Sequence, residues 1–429
     1  MPAPAAASVR DAHTLDETDP LAPFRAEFYL PAGKIYLDGN SLGLLSRRAE
    51  ATLQRAIAQW RTLGIDGWTE GDAPWLNLAE TIAAKLAPLT GAAPDEICIT
   101  GQTTANLHQL LATLFDPANN ERRVILGDQL NFASDLYALQ SHLKLRGLDP
   151  TKHLRLVTSS DGRTLRSADI IAAFTPDVQI AVLPSVLFTS GQLLDLPALT
   201  RAAHVRGVVI GFDCSHSIGA VPHAFDRDGV DFAFWCNYKY LNAGPGAVGG
   251  LYLNRRHLAR SPGLAGWWGV RADRRFAMSP EHERANGASG LHIGTPAILS
   301  LAPLLGSLEL IAEAGGIAAL RAKSRRQTQY LHDLAQAHLA THGFTLASPA
   351  AESERGGHIA LAHSDGWRIC QALKAAGVIP DFRQPNIIRL APSPLYTTYA
   401  ECAEAIVRIE KILLNRSHEK FPADPGLVP

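Results

Sequence analysis

The chain is short of cysteine, has no excess of either charge, and lacks a long unbroken apolar run. Its five cysteines, at positions 98, 214, 236, 370 and 402, are odd in number and include no C-x-x-C pair. That pattern indicates neither a disulfide framework nor a zinc site, so no metal is expected and the thiols read as small buried hydrophobes. Forty Lys and Arg stand against 41 Asp and Glu, a formal net charge of −1. Without a basic field, neither nucleic acid nor an anionic membrane surface is an expected partner. The stretch 285–308 holds no charged residue, but Asn286, several glycines, His292, Pro296 and Pro303 interrupt it, and it does not read as a membrane span. The first residues hold no long apolar stretch and run into Asp11, Asp16, Glu17 and Asp19, unlike a secretory or transit leader, so a cytoplasmic location is expected.

What is present is an ordinary apolar fraction, 46% over 429 residues with 19% charged, enough for one large core and a smaller one. Apolar residues recur at helical spacing in 49–63, 76–89, 107–115 and 136–145, and β-branched or apolar runs fall at 124–126, 154–157, 180–183, 208–212, 230–235 and 248–253. This alternation predicts an α/β fold: a large domain, 46–315, with a mostly parallel sheet of about seven strands between helices. A smaller α+β domain is expected over 316–416, after the Gly315-Gly316 break. Residues 1–45 form an N-terminal segment, irregular up to about residue 33, and the proline-containing tail 417–429 is expected to be flexible.

The most informative local feature is Gly211-Phe212-Asp213-Cys214-Ser215-His216, followed by Tyr238-Lys239. Asp213 ends a short β-branched run and so falls at the carboxyl end of a strand, where open α/β sheets bind ligands. Lys239 is flanked by aromatics and glycines, not by other charges. An acid able to hold a pyridine nitrogen protonated and an amine able to form a Schiff base are the two groups that pyridoxal phosphate requires. The same spacing also suits a cap or a metal ligand.

Two further motifs mislead. Residues 39–43, Gly-Asn-Ser-Leu-Gly, match the nucleophile elbow of serine hydrolases, but too little patterned chain precedes them to build the sheet such an elbow caps. Residues 244–249 match G-x-G-x-x-G, yet a strand-like run follows where a dinucleotide site needs a helix. Those glycines are better explained as turns that hold Lys239 in place.

Taken together, 37–43, 104–108, 132–135, Gly191-Gln192, 211–216, 235–244, Gly266-Trp267 and 389–392 resemble the kynureninases, pyridoxal phosphate enzymes of the aspartate aminotransferase-like fold. The likeness is to bacterial-type members and covers most of the chain. It implies Lys239 as the Schiff-base lysine, Asp213 on the pyridinium nitrogen and Phe132 stacked on the ring. It implies Thr103 and Thr104 at the phosphate, with Tyr238 contacting it and assisting proton transfer, and His216 and Asp135 close by. Pro184 stands where some members place Ser or Thr, so Ser185 next to it is the candidate contact. Trp267 and Thr295 are implied as phosphate-side residues contributed across a homodimer interface. Arg389 is implied as the arginine for the substrate α-carboxylate, with Asn40, Ser41 and Trp68 also on the substrate side.

The implied reaction is hydrolysis of L-kynurenine to anthranilate and L-alanine in tryptophan breakdown. Lys239 removes the α-proton, water adds to the γ-carbonyl, and the bond between the β- and γ-carbons breaks. Trp68 and Thr295 occupy positions where animal-type members carry His and Asn, which implies a preference for kynurenine over its 3-hydroxy derivative. The competing readings are another enzyme of the same fold, a cysteine desulfurase or an aminotransferase, and a non-catalytic binding protein.

Overall fold

The computed structural model describes residues 8–424. Its centre is a seven-stranded sheet: β1 (Ile97–Ile99), β2 (Val124–Asp128), β3 (Leu154–Val157), β4 (Val178–Pro184), β5 (Val209–Asp213), β6 (Phe232–Trp235) and β7 (Gly250–Leu253), in the order β1-β7-β6-β5-β4-β2-β3. Neighbours from β6 across to β3 are parallel, and β7 runs antiparallel to both β6 and β1. The strands are apolar runs because both faces are covered. Along β4 to β6, Ala181, Leu183, Ile210, Phe212, Ala233 and Trp235 enter a core shared with helices Leu78–Thr90, Leu196–Val205 and Ile298–Glu313. The alternate residues Ile180, Val182, Phe232 and Phe234 enter another, shared with helices Thr103–Leu114 and Ala133–Leu145. Gly211 is required in β5 because a Cβ there would fall 2.1 Å from the Phe232 ring.

Helix Ile298–Glu313 takes up the second part of the charge-poor stretch, from residue 298. It is apolar because it is wedged against helices Arg47–Leu63 and Leu78–Thr90. No single helix among the described residues is long and apolar enough to cross a membrane.

The C-terminal part builds an antiparallel sheet from β8 (Thr345–Leu346), β9 (Ile359–Ala362), β10 (Asp381–Arg383) and β11 (Ile387–Leu390), in the order β10-β11-β9-β8. Helices Gly316–Leu339, Gly366–Ala375 and Tyr399–Leu414 cover it. The N-terminal segment joins this core, against the expectation of an irregular lead-in. Ile35–Tyr36 pairs in parallel with Val378–Ile379, and Ile35 and Leu37 are buried in the C-terminal cluster. Helix Asp11–Glu17 docks on helix Tyr399–Leu414, where the Asp16 carboxylate accepts from the Tyr399 and Ala400 amides at 2.7 and 2.9 Å. Two free helix N–H groups thereby find an acid that also suits the positive end of the dipole. Asp19 and Lys323, both buried, pair at 2.7 Å. Sequence periodicity missed this because a seven-residue helix with one buried residue, Ala12, is held by tertiary partners.

The expected flexible tail is also corrected over its first part. Ser417–Lys420 forms a 3-10 turn, His418 is buried, and Arg368 donates to the Phe421 carbonyl at 3.0 Å. Residues 425–429 lie outside the described residues.

Candidate active site

The carboxyl ends of β2, β4, β5 and β6 lie side by side, and the loops leaving them carry the chemistry. A cavity of about 450 Å³ opens there, lined by Lys239, Asp213, His216, Tyr238, Phe132 and Asp135 among others. Its far wall is the start of helix Thr103–Leu114, with Gln102, Thr103 and Thr104 facing the space. That helix end has free amides and the positive end of its dipole, and is suited to a phosphate. The Thr104 hydroxyl is 2.6 Å from the Ser134 hydroxyl, which joins the two helix starts into one polar rim. Phe132 precedes helix Ala133–Leu145 and is 46% exposed, so one ring face is open to a ligand while its edge meets Phe188 at 5.3 Å.

Lys239 Nζ lies 2.9 Å from His216 Nε2. Burial holds His216 well below the usual imidazole range, reinforced by the charges of Lys239 and Arg389. The ring is therefore neutral and accepts the hydrogen bond whenever the amine is protonated. Asp213 is 8% exposed and takes the Ser215 amide at 2.8 Å. Asp135, beside it, is pushed far up by burial and then by the Asp213 charge, so it stays protonated and donates to Asp213. One oxygen of Asp135 has no partner in the chain. Burial also pushes the Tyr238 phenol up, with the Cys236 thiol adding to the effect. The cavity thus presents an amine, the Asp213 carboxyl beside the neutral Asp135, an exposed aromatic ring and a helix start suited to a phosphate. This donor set fits pyridoxal phosphate.

A separate buried polar cluster forms around Arg389 on β11, which is 1% exposed. Its guanidinium bonds Asp381 on β10, donates to the Phe188 carbonyl at 2.6 Å, and reaches the Ser41 hydroxyl at 3.3 Å. Asn40 is fully buried, and the amide orientation that satisfies it accepts from Arg389 Nη1 at 3.3 Å and donates to Asp38 at 3.2 Å. Asp38 is raised to about 6 by burial and the Asp381 charge, opposed by the Ser41 hydroxyl and Arg389. The 39–43 motif is thereby explained without a nucleophile. Ser41 serves Arg389, and the Gly43 amide donates to the Tyr238 carbonyl at 2.8 Å. A Cβ on Gly43 would come within 2.4 Å of the Lys239 carbonyl, so glycine lets this loop buttress the lysine turn. Gly244 and Gly246, the other misleading motif, have φ of +91° and +71° and turn the chain that leaves Lys239.

Not every expected residue reaches the cavity. Ser185 is buried, its hydroxyl donating to the Asp213 carbonyl at 2.9 Å and lying 2.6 Å from Ser217, so it supports β5 from behind. Trp68, Trp267 and Thr295 are not in the cavity wall, nor are Arg389, Asn40 and Ser41. Trp68 packs on Trp268 at 5.2 Å, Trp267 meets Trp268 at 5.5 Å, and Trp267 and Thr295 are exposed. Sequence reasoning missed Gln102, Ser134 and Ser215 in the wall, and Phe188, Asp381 and His358 behind it. Ser134 and Ser215 sit inside runs already singled out. Nothing local marks Phe188, which acts through its carbonyl.

Comparison with known proteins agrees with this geometry. The family model for the kynureninase C-terminal domain matches residues 320–409. Kynureninase of Geobacillus thermodenitrificans is 54% identical over 417 residues, 97% of both chains. The Bacillus cereus kynureninase is 52% identical over 406 residues, 95% of this chain and 94% of the relative. The Shouchella clausii kynureninase is 48% identical over 97% of both. Among solved structures, a C-DES variant with glycine covalently linked to its PLP cofactor superposes with a TM-score of 0.77 at 19% identity, covering 90% of this chain and 98% of that one. The apo cysteine desulfurase of Thermococcus onnurineus does so with a TM-score of 0.77 at 16% identity, covering 92% and 98%. These structures show the shared fold, and the near-complete match to its relatives places the chain in the kynureninase family.

Proposed function

We propose that this chain hydrolyses L-kynurenine to anthranilate and L-alanine with pyridoxal 5'-phosphate. The observation that carries the reading is the convergence of Lys239, Asp213 and the Thr103–Leu114 helix start on one cavity, in a chain of this family. When bound, the cofactor supplies an aldehyde for the lysine and a protonated ring that takes up the electron pair left at the α-carbon. Thr103 and Thr104 hold its phosphate at the helix start. Phe132 offers the open ring face, and Asp213 keeps the ring nitrogen protonated. Asp135, itself neutral, steadies Asp213 without adding a second negative charge. Arg389, with Asn40 and Ser41, fixes the substrate α-carboxylate through a planar fork. Lys239 takes the α-proton, and its neighbour His216, being neutral, adds no charge that would compete for it. Tyr238 keeps its proton and is available as a donor at the phosphate side. One water is consumed as the bond between the β- and γ-carbons breaks.

Trp267 and Thr295 act in the site of a second copy of the chain. Trp267 is 40% exposed, Thr295 is exposed, and Leu264, Phe276, Met278 and Ile293 are exposed apolar side chains in the same region of sequence. Such a patch marks an interaction surface. Trp68 packs with this group and so travels with it to the aryl end of the substrate. A less polar pocket, without an imidazole and amide for the extra hydroxyl, favours kynurenine over 3-hydroxykynurenine.

A desulfurase reading is disfavoured because all five cysteines are buried, and that reaction needs a mobile thiol. Fluorescence detection of anthranilate from purified protein and kynurenine tests the proposal. Lys239→Ala is expected to abolish the signal together with the visible band of the lysine-bound cofactor. Release of sulfide from cysteine with no anthranilate would sink it. Steady-state kinetics are expected to give kynurenine the higher specificity constant, and the opposite order would remove Trp68 and Thr295 from the aryl pocket.

A further inference from the structure

We infer that Arg275 is a positioning residue: its guanidinium holds Trp268, the ring on which Trp267 and Trp68 both pack, so that one side chain sets both the cofactor-phosphate side and the aryl side of the site. The inference rests on the roles proposed above for Trp267 and Trp68.

Arg275 is 6% exposed and opens a 3-10 turn, Arg275–Ala277. Its guanidinium lies over the Trp268 ring at 4.1 Å and donates to the Trp268 carbonyl at 3.2 Å and the Val270 carbonyl at 3.5 Å. Its own carbonyl accepts the Trp267 indole N–H at 2.9 Å. Trp267 also forms T-shaped ring pairs with Trp268 at 5.5 Å and Phe276 at 5.8 Å, and the hydrogen bond fixes the direction of its indole N–H. Trp268 is 2% exposed and meets Trp68 at 5.2 Å with a 45° tilt, and Trp68 ends edge-on against Trp75 at 5.7 Å. The path from guanidinium to Trp68 is therefore direct ring packing.

A purely structural role explains this arginine poorly. Its Nε has no hydrogen-bond partner, and the facing carboxylate, Glu80, also leaves an oxygen unpaired. A buried cation so incompletely satisfied is costly, and an apolar side chain would fill the space at less cost. What only arginine supplies is a flat cation that lies over the indole face while one of its nitrogens reaches the Trp268 and Val270 carbonyls.

The test uses full-length Arg275→Gln and Arg275→Lys beside Trp267→Phe and Trp68→Phe. For each, cofactor affinity is measured by titrating apoenzyme with pyridoxal phosphate, following tryptophan quenching, and KM and kcat are measured for kynurenine. Arg275→Gln is expected to weaken cofactor binding and raise KM by roughly tenfold each, with kcat at saturation much less changed. Trp267→Phe should reproduce only the cofactor defect and Trp68→Phe only the KM defect. Arg275→Lys should recover less than half of either, since it keeps the charge and loses the flat guanidinium over the Trp268 ring. If the Arg275 variants match the wild type in both constants while the two tryptophan variants show their defects, the inference is overturned. If the tryptophan variants also match the wild type, the proposed roles of Trp267 and Trp68 fail instead. Should Arg275→Gln not fold, Arg275→Lys decides: wild-type constants in it overturn the inference, and a joint loss supports it.

Discussion

Lys239 and Asp213 do their work in unequal company. The lysine faces a neutral imidazole, and the aspartate leans on an acid that has kept its proton. Because burial and Asp213 together hold Asp135 protonated, an amide in its place preserves both shape and charge. Asp135→Asn is therefore expected to keep kcat/KM within about threefold, whereas Asp213→Asn, which removes the charge beside the ring nitrogen, should cost roughly 10²-fold or more. Comparable losses in the two variants would mean that Asp135 acts as an anion. At this scale much of the site was legible in the sequence, since covalent and acid–base chemistry demands particular side chains at strand ends. Phe188 and Ser185 show where legibility stops. The first contributes a backbone carbonyl, which any residue type carries, and the second is a plausible hydroxyl whose partners, Ser217 and the Asp213 carbonyl, lie behind the strand.

At the scale of elements, the parallel strands and long helices follow from periodicity, while the pieces fixed by distant partners do not. The edge strand β1 is three residues long and gives too little pattern to recognise. Helix Asp11–Glu17 exists through Asp16 and the far end of the chain. The loop 39–43 shows the same dependence, with a motif whose purpose appears only once Arg389 and the Tyr238 carbonyl stand beside it. Gly43→Ala would force a methyl to within 2.1 Å of the Asn242 amide oxygen and 2.4 Å of the Lys239 carbonyl. It is expected to destabilise by about 1–3 kcal/mol, as overpacking does. Activity should fall further than the fraction unfolded explains, because the displaced backbone carries the lysine. Thermal unfolding measured beside kcat on the same preparation checks this, and wild-type values for both would show that the loop moves freely.

For the whole molecule, one buried acid ties three parts of the large unit together. Asp231 accepts from His204 on helix Leu196–Val205 at 2.9 Å, from His257 after β7 at 2.8 Å, and from the Ile210 amide of β5 at 2.9 Å. Burial raises its pKa, but these hydrogen bonds outweigh it and bring the group to about 2. A folded value below the unfolded one means stability that is fully present above pH ~4 and is lost as pH falls toward ~2, about 2 kcal/mol in all. Asp231→Asn should therefore lower the unfolding free energy by about that amount at pH 6, with the gap to wild type narrowing below pH 4 in urea titrations. A gap independent of pH would assign the loss to packing. Legibility is poorest at this scale. Trp68 and Trp267 were found as residues, but that both pack on Trp268 shows only in three dimensions, because contacts between rings far apart in sequence leave no periodic trace along the chain.

The strap formed by residues 35–43 has a practical consequence. It runs from its pairing with Val378–Ile379 to the turn that carries Lys239, laying down Ile35 and Leu37 as core residues before presenting Asn40 and Ser41 to the arginine. A proteolytic nick near residue 44 followed by loss of the leading fragment would take Asn40 and Ser41 away from Arg389 while Lys239 and Asp213 stayed in the polypeptide. Turnover is thus expected to depend on the opening tenth of this protein as much as on the residues two hundred positions downstream.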